Sequence, residues 1–166
     1  MTELASEKLA DLIAKRRLCL VKLRDLGQKQ TELIAAGEMG ALVRSLSAKN
    51  QWIVAAQAIE KELAPFHAQD PAERVWASTA QREQCAEQAD ECQDLLDEIM
   101  RLERENEQKM TQRRDHVAQQ LQTAHSAGAA RAAYQAQQKR IVPGPQTPIQ
   151  FNVPTSRGQL DLQSNA

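Results

Sequence analysis

The sequence predicts an all-α protein: an antiparallel coiled-coil bundle of three main helices, the third the longest, with a disordered Pro-containing C-terminal tail. Three observations carry this expectation. First, 42% of the 166 residues are apolar but only 3% are aromatic, so a core must bury many small side chains along extended seams. Second, the body is rich in Ala, Leu, Glu, Gln, Lys and Arg and poor in β-branched residues, which favours helix on propensity alone. Third, leucines recur at helical spacing over most of the chain. Glycine and proline, six each, are too few to punctuate a many-stranded sheet. The length suits one domain and hardly two. All-β folds, doubly wound α/β folds and a large enclosed cofactor pocket are disfavoured together.

The first helix is expected from about Ser6 to Ala36. Leu9, Leu12, Cys19, Leu23, Leu26 and Leu33 fall three, four or seven residues apart, with Arg16 and Gln30 at the skipped heptad positions. Ile13, Leu20 and Ile34 widen the stripe, as a helix with two neighbours requires. Gly37 follows the last periodic residues, where a left-handed cap belongs. A second helix should begin within two or three residues of it, with Met39, Leu42, Val43, Leu46, Ile53, Ile59 and Leu63 on its inner face and Lys49 and Ala56 in the steps between. Pro65 should end it, since proline cannot continue the hydrogen-bond ladder. So short a connection makes the two helices an antiparallel hairpin.

Asp70-Pro71 is a helix-start signal, with aspartate as cap and proline at the first helical position. Ser78-Thr79-Ala80-Gln81 is a second, of capping-box type, and Trp76 between them is expected to plug the end of the hairpin. The third helix follows, its seam traced by Cys85, Ala89, Cys92, Leu95, Leu96, Ile99, Leu102, Asn106, Met110, Arg113, Val117 and Leu121. At ~1.5 Å per residue, 79–124 alone spans roughly 70 Å, against roughly 45 Å for the hairpin. Apolar density falls along it, and Asn106 and Arg113 are poor core residues, so its C-terminal half is expected to stay exposed until something binds it. Residues 124–138, rich in Ala and Gln around Gly128, are helix-prone with little face to bury. Beyond Lys139, Pro143, Pro145, Pro148 and Pro154 forbid a regular element. The expected organisation is therefore a hairpin over 1–64, a connector over 65–78, the long helix over 79–138 and a tail over 139–166.

The net charge of −1 hides a lopsided distribution. Ten basic and eight acidic residues occupy 1–64, five and twelve occupy 65–110, and six and two occupy 111–166. An acidic middle between mildly basic ends suits helix pairing better than a nucleic-acid surface, so no nucleic-acid partner is expected. Met1 to Ala14 alternates charge with leucine, and no stretch approaches a membrane span. A cytoplasmic chain without stable membrane insertion, its thiols reduced, is expected.

No arrangement of residues points to catalysis, a cofactor or a metal. His67, His116 and His125 are scattered. Cys85 and Cys92 are seven apart on one face, not at the two-to-four spacing of zinc pairs, and with Cys19 they read as small hydrophobes of a seam. Asp90-Glu91, Asp97-Glu98 and Glu103/Glu105/Glu107 form a solvated acidic face that Lys15, Arg16, Arg17, Lys22 and Arg24 could pair. A Glu-x-x-His motif, which a di-metal bundle needs on two helices, is absent from the sequence. More telling is the under-filled amphipathic stretch 95–138, which can lie along another protein's helix. Completion of the chain's own bundle, or a homodimer, accounts for it equally well.

Three stretches carry a family resemblance. "LCLVKLRDLGQKQTELIAAGEMGALVRSLSAKNQWI" (Leu18–Ile53) has leucines before a Gln/Glu segment, a Gly-acidic turn and a return helix. "LLDEIMRLERENEQKM" (Leu95–Met110) leads from a Leu-Leu pair into an Asn/Glu-rich coil, and "RRDHVAQQLQTAHSAGAARAAYQAQ" (Arg113–Gln137) ends near a lone tyrosine. Together they resemble the FlgN-type export chaperones of the bacterial flagellar type III secretion system. The resemblance implies a non-enzymatic cytoplasmic chaperone that holds hook–filament junction subunits and delivers them to the flagellar export gate. It implies cargo binding along the C-terminal helix, at Leu95, Leu96, Ile99, Leu102, Met110, Val117 and Leu121. Tyr134 matches the family's late tyrosine, which implies export-gate docking; a mobile tail tyrosine is as readily incidental. The second class is a structural coiled coil, such as an export-ATPase stalk or scaffold. Such stalks look like two long charged helices, and the breaks at Gly37 and Pro65 argue against one.

Overall fold

A computed structural model describes residues 2–140. Three α-helices, α1 (Glu3–Ala36), α2 (Met39–His67) and α3 (Thr79–Arg140), account for nearly all of them, with a single 3₁₀ turn at Pro71–Glu73 and no strand among the described residues. The chain divides into two compact units, one ending at Gln120 and the other beginning at Leu121. The expected tail lies outside the described residues from 141 onward, while Lys139 and Arg140 are helical.

Local signals place the breaks. Thr2 caps α1, its hydroxyl accepting from the Ala5 amide at 3.4 Å, so the helix starts nearly two turns before its first seam leucine, Leu9. Gly37 takes the left-handed conformation, φ 76°. Its amide donates to the Ile34 carbonyl at 3.2 Å, and that of Glu38 to the Leu33 carbonyl at 3.0 Å, the paired bonds of a glycine-terminated helix. Asp70 caps the 3₁₀ turn through the Ala72 amide at 2.9 Å. Ser78 Oγ accepts from the Gln81 amide at 3.1 Å, while Gln81 Oε1 accepts from the Ala77 amide at 3.2 Å. This is a capping box whose return bond falls one residue early.

One boundary differs from expectation. Helix α2 continues two residues past Pro65 to His67. Proline forfeits one ladder bond there, but the extra residues bury Phe66 against Leu9, Leu12, Ile13, Leu63 and Cys85. Burying a phenylalanine stabilises by about 1.5–3 kcal/mol, comparable to the bond and clash it offsets. Helix α3 continues through the Ala/Gln-rich strip, where helix propensity is highest and no breaker other than Gly128 intervenes.

In the first unit, ion pairs and one hydrogen bond fix the directions. Lys8 with Glu62 and Arg16 with Glu60 show α2 antiparallel to α1, whereas Arg17 with Glu91 and Gln28 with Glu98 show α3 parallel to it. Of the basic residues on α1, only Arg17 pairs with the acidic face of α3. Arg16 turns to α2, Lys15 pairs with Asp11 and Arg24 with Asp25 within α1. One apolar cluster gathers around Leu63 and Phe66, with Trp76 packed against it. A second joins Leu20 and Leu23 to Cys92 and Leu95, with Trp52, Ile53, Leu96 and Ile99 on its margin.

The third layer is polar. Asn106 is buried, donates from Nδ2 to the Gly27 carbonyl at 3.0 Å and accepts from Thr31 Oγ at 2.7 Å. Beside it, buried Lys49 contacts Gln30 Oε1 at 3.3 Å and pairs with Glu103. Arg113 Nη1 donates to the Ile34 carbonyl at 3.1 Å, a second donor on an acceptor that the Gly37 amide already uses, and so ties α3 to the end of α1. Asn106 and Arg113 are thus poor apolar residues with specific polar roles, and burial along α3 ends at Asn106, with Met110 half-buried beyond it.

Candidate functional site

The residues proposed to hold cargo fall into two environments. Leu95 and Leu102 are buried, and Leu96 and Ile99 are half-buried against the second cluster; all four face the chain's own helices. Met110 is half-buried, Val117 is 44% exposed and Leu121 66% exposed. Every residue from Thr111 to Arg140 is exposed, Tyr134 at 64% among them. Val117 belongs to the first unit, and Leu121 and Tyr134 to the second.

Helix α2 adds apolar surface in a place not anticipated. Val43 and Leu46, expected on its inner face, are exposed, while Ser45 is buried alongside Lys49, the residue expected in a step of that face. Leu42 and Leu46 line, with Ile34 and Met110, a depression of about 330 Å³ whose polar edge is Gln30, Glu103 and Asn106. Nothing in the sequence marked this edge: at about 100° per residue, Leu42, Leu46 and Val43 span about 100°, an ordinary core-facing stripe.

Electrostatics here serves packing. Burial pushes the thiols of Cys19, Cys85 and Cys92 above the usual range, opposed at Cys85 by Arg74 and at Cys92 chiefly by Arg16 and Arg17. All three are free thiols, and raised pKa values leave them protonated and unreactive at neutral pH. The hydrogen bond from Arg17 to Glu91 raises the guanidinium's pKa further, in keeping with a lasting charge. Among the described residues no three His, Cys, Asp or Glu side chains converge on a position that could hold a metal ion, and no helix is long and apolar enough to cross a membrane. His116 and His125 are exposed, nine residues apart on α3.

A helical hairpin, a third helix running parallel to its first arm, and a long exposed helical stretch define an all-helical protein over the described residues. The chain belongs to the FlgN family, whose description, FlgN protein, matches residues 1–140. FlgN proteins are flagellar export chaperones. No curated protein and no solved structure matches the chain significantly.

Proposed function

We propose that this protein binds flagellar hook–filament junction subunits through α3, prevents their premature assembly and delivers them to the flagellar type III export apparatus. It would do so in the cytoplasm, without catalysis or a cofactor. The observation that carries this reading is the run of exposure from Thr111 to Arg140, with Val117 and Leu121 exposed within it. An amphipathic cargo segment can cover such side chains with its own. Met110 and the adjoining Leu42 and Leu46 extend the apolar surface, whereas Leu95, Leu96, Ile99 and Leu102 become available only when cargo displaces the chain's own packing. Tyr134 is proposed to dock at the export gate.

The test is affinity for purified junction subunits, by calorimetry, of the wild type and of Val117→Ser, Leu121→Ser. Each truncation removes about 1.5–3 kcal/mol of burial if the side chain is fully covered, so the pair should weaken binding more than tenfold. Binding to none of the junction subunits, or unchanged binding by the pair, would overturn the reading. Tyr134→Ala should leave subunit binding intact and reduce their secretion. A homodimer covering the same face would instead appear as a doubled mass in solution that Leu121→Ser dissociates.

A further inference from the structure

Where α2 gives way to the connector, a cavity of about 400 Å³ opens in the first unit. Its floor is apolar, formed by Leu63, Phe66 and Trp76, and its polar lining is Arg16, Arg74, Arg82 and His67. Among the described residues no Asp or Glu side chain lines it. That is unexpected on composition, because residues 65–110 hold twelve acidic and only five basic residues. Arg16 is engaged elsewhere, with Nε 2.5 Å from Glu60 Oε1. Arg74 is committed at one end, its Nη2 donating to the Phe66 carbonyl at 2.9 Å, but its Nε is buried without a partner. Among the described residues neither Arg74 nor Arg82 forms an ion pair with a carboxylate. With no carboxylate in the lining, these guanidinium groups leave the cavity positively charged, which a bound anion neutralises.

We propose that this cavity binds the C-terminal residue of a polypeptide, its carboxylate on Arg74 and Arg82 and an apolar last side chain against Phe66 and Trp76. The chemistry narrows the occupant. Guanidinium forks select carboxylate or phosphate, and the aromatic floor selects an apolar body directly beside the charge. A free amino acid is disfavoured, since its ammonium group meets no carboxylate in the lining. A chain terminus has a neutral amide in that place. The volume lies at the small end of ligand pockets and suits one residue rather than a folded segment. Arg82, His67 and Pro71 at the rim are exposed, which leaves the preceding residues of a bound chain a way out to solvent.

The inference does not depend on the export-chaperone reading, and its test uses no flagellar sequence. Full-length protein carrying Trp52→Phe retains Trp76 as its single tryptophan reporter, and it is titrated with an N-acetylated pentapeptide ending in phenylalanine. The expected result is a saturable change in emission with the free acid, at least tenfold weaker with the same peptide as its C-terminal amide. Arg82→Gln, at an exposed position that leaves the fold intact, should weaken the acid at least fivefold. Arg74→Lys, which keeps the charge but loses the fork, should do the same. No saturation with the acid, equal binding of acid and amide, or unchanged binding by Arg82→Gln would overturn the proposal. So would 3-phenylpropionate binding as tightly as the peptide, which would assign the cavity to a small acid.

Discussion

Asn106→Ala tests whether the polar layer holds α3 against α1. The side chain makes two hydrogen bonds, to the Gly27 carbonyl at 3.0 Å and from Thr31 Oγ at 2.7 Å, with the residue 6% exposed. Thr31 has one hydroxyl proton, which the shorter contact claims. After truncation it can turn to the Gly27 carbonyl, already 3.2 Å away, so no donor is orphaned. Two neutral bonds are lost and Thr31 recovers one, so the net cost is one bond, about 1 kcal/mol. Alanine's better helix propensity returns about half a kcal/mol, leaving a net loss of about 0.5 kcal/mol. Urea unfolding followed by tryptophan fluorescence is the appropriate assay, because Trp52 and Trp76 pack on the two apolar clusters. The midpoint should fall with the slope unchanged. A double-mutant cycle with Thr31→Val isolates the 2.7 Å bond and should return a coupling of about 0.5–1.5 kcal/mol. Asn106→Ala within 0.3 kcal/mol of wild type, on the order of the error in such additivity tests, would refute the role assigned to this layer.

Other positions carry further expected outcomes. Gly37→Ala should destabilise by about 1–2 kcal/mol in the same unfolding assay, since a Cβ at φ 76° is strained and also displaces Arg113 from the end of α1. Gly27→Ala should instead be neutral or stabilise by up to about 1 kcal/mol, because the new Cβ meets only Leu102 Cδ1 at 3.4 Å and Leu102 Cβ at 3.6 Å in ordinary contact. Leu63→Ala, at a side chain 0% exposed, should cost about 2–5 kcal/mol, while Val54→Ala, at an exposed position, should change the midpoint little. For the buried thiols, the raised pKa values mean that the folded state holds its protons more tightly than the unfolded chain does. Their contribution is fully present below the ordinary thiol pKa of about 8.5 and is lost as pH rises through the folded values. Stability measured between pH 7 and 10 should therefore decline above that point, and Cys19→Ala, Cys85→Ala, Cys92→Ala together should flatten the decline.

What the sequence made legible was mostly local. Gly37, Asp70-Pro71 and Ser78 with Gln81 act through bonds spanning a few residues, and each lies where its chemistry requires. The leucines of α1 were equally readable, because that helix has neighbours on two sides and tolerates a broad stripe. Helix α2 was harder. Val43 and Leu46 fit the period and yet are exposed, while Ser45 is buried, because periodicity defines an arc but not which edge of it a neighbour covers. Asn106 shows the same limit from the other side. Its polarity marked it as weak core, and only the juxtaposition with Gly27 and Thr31 shows why a buried amide is retained. The Arg74 cavity was invisible for a related reason: its lining comes from residues 9–16, 63–76 and 82–89, and no spacing rule connects them. The exposed half of the candidate surface, by contrast, was announced by the thinning of apolar residues beyond Met110.

That thinning has a consequence for how α3 can bind. An isolated helix must nucleate before it propagates, and a short one is marginal in water. The exposed stretch of α3 follows a packed stretch in the same helix, where Cys92, Leu95, Leu102 and Asn106 are buried. Nucleation is therefore already achieved, and an Ala- and Gln-rich sequence propagates at little cost. Side chains such as Val117 are then displayed on ordered backbone, which reduces the ordering entropy a partner must overcome on binding. Their sparseness matters as much as their order. A few apolar residues scattered among Gln, Arg and Ala make a smaller exposed patch than a full heptad stripe would, and small patches do not drive self-association. The same sparseness makes the surface weak by itself, so strong binding requires a partner that contributes most of the apolar area. An amphipathic helix with a continuous stripe, prone to assemble with its own kind, meets that requirement.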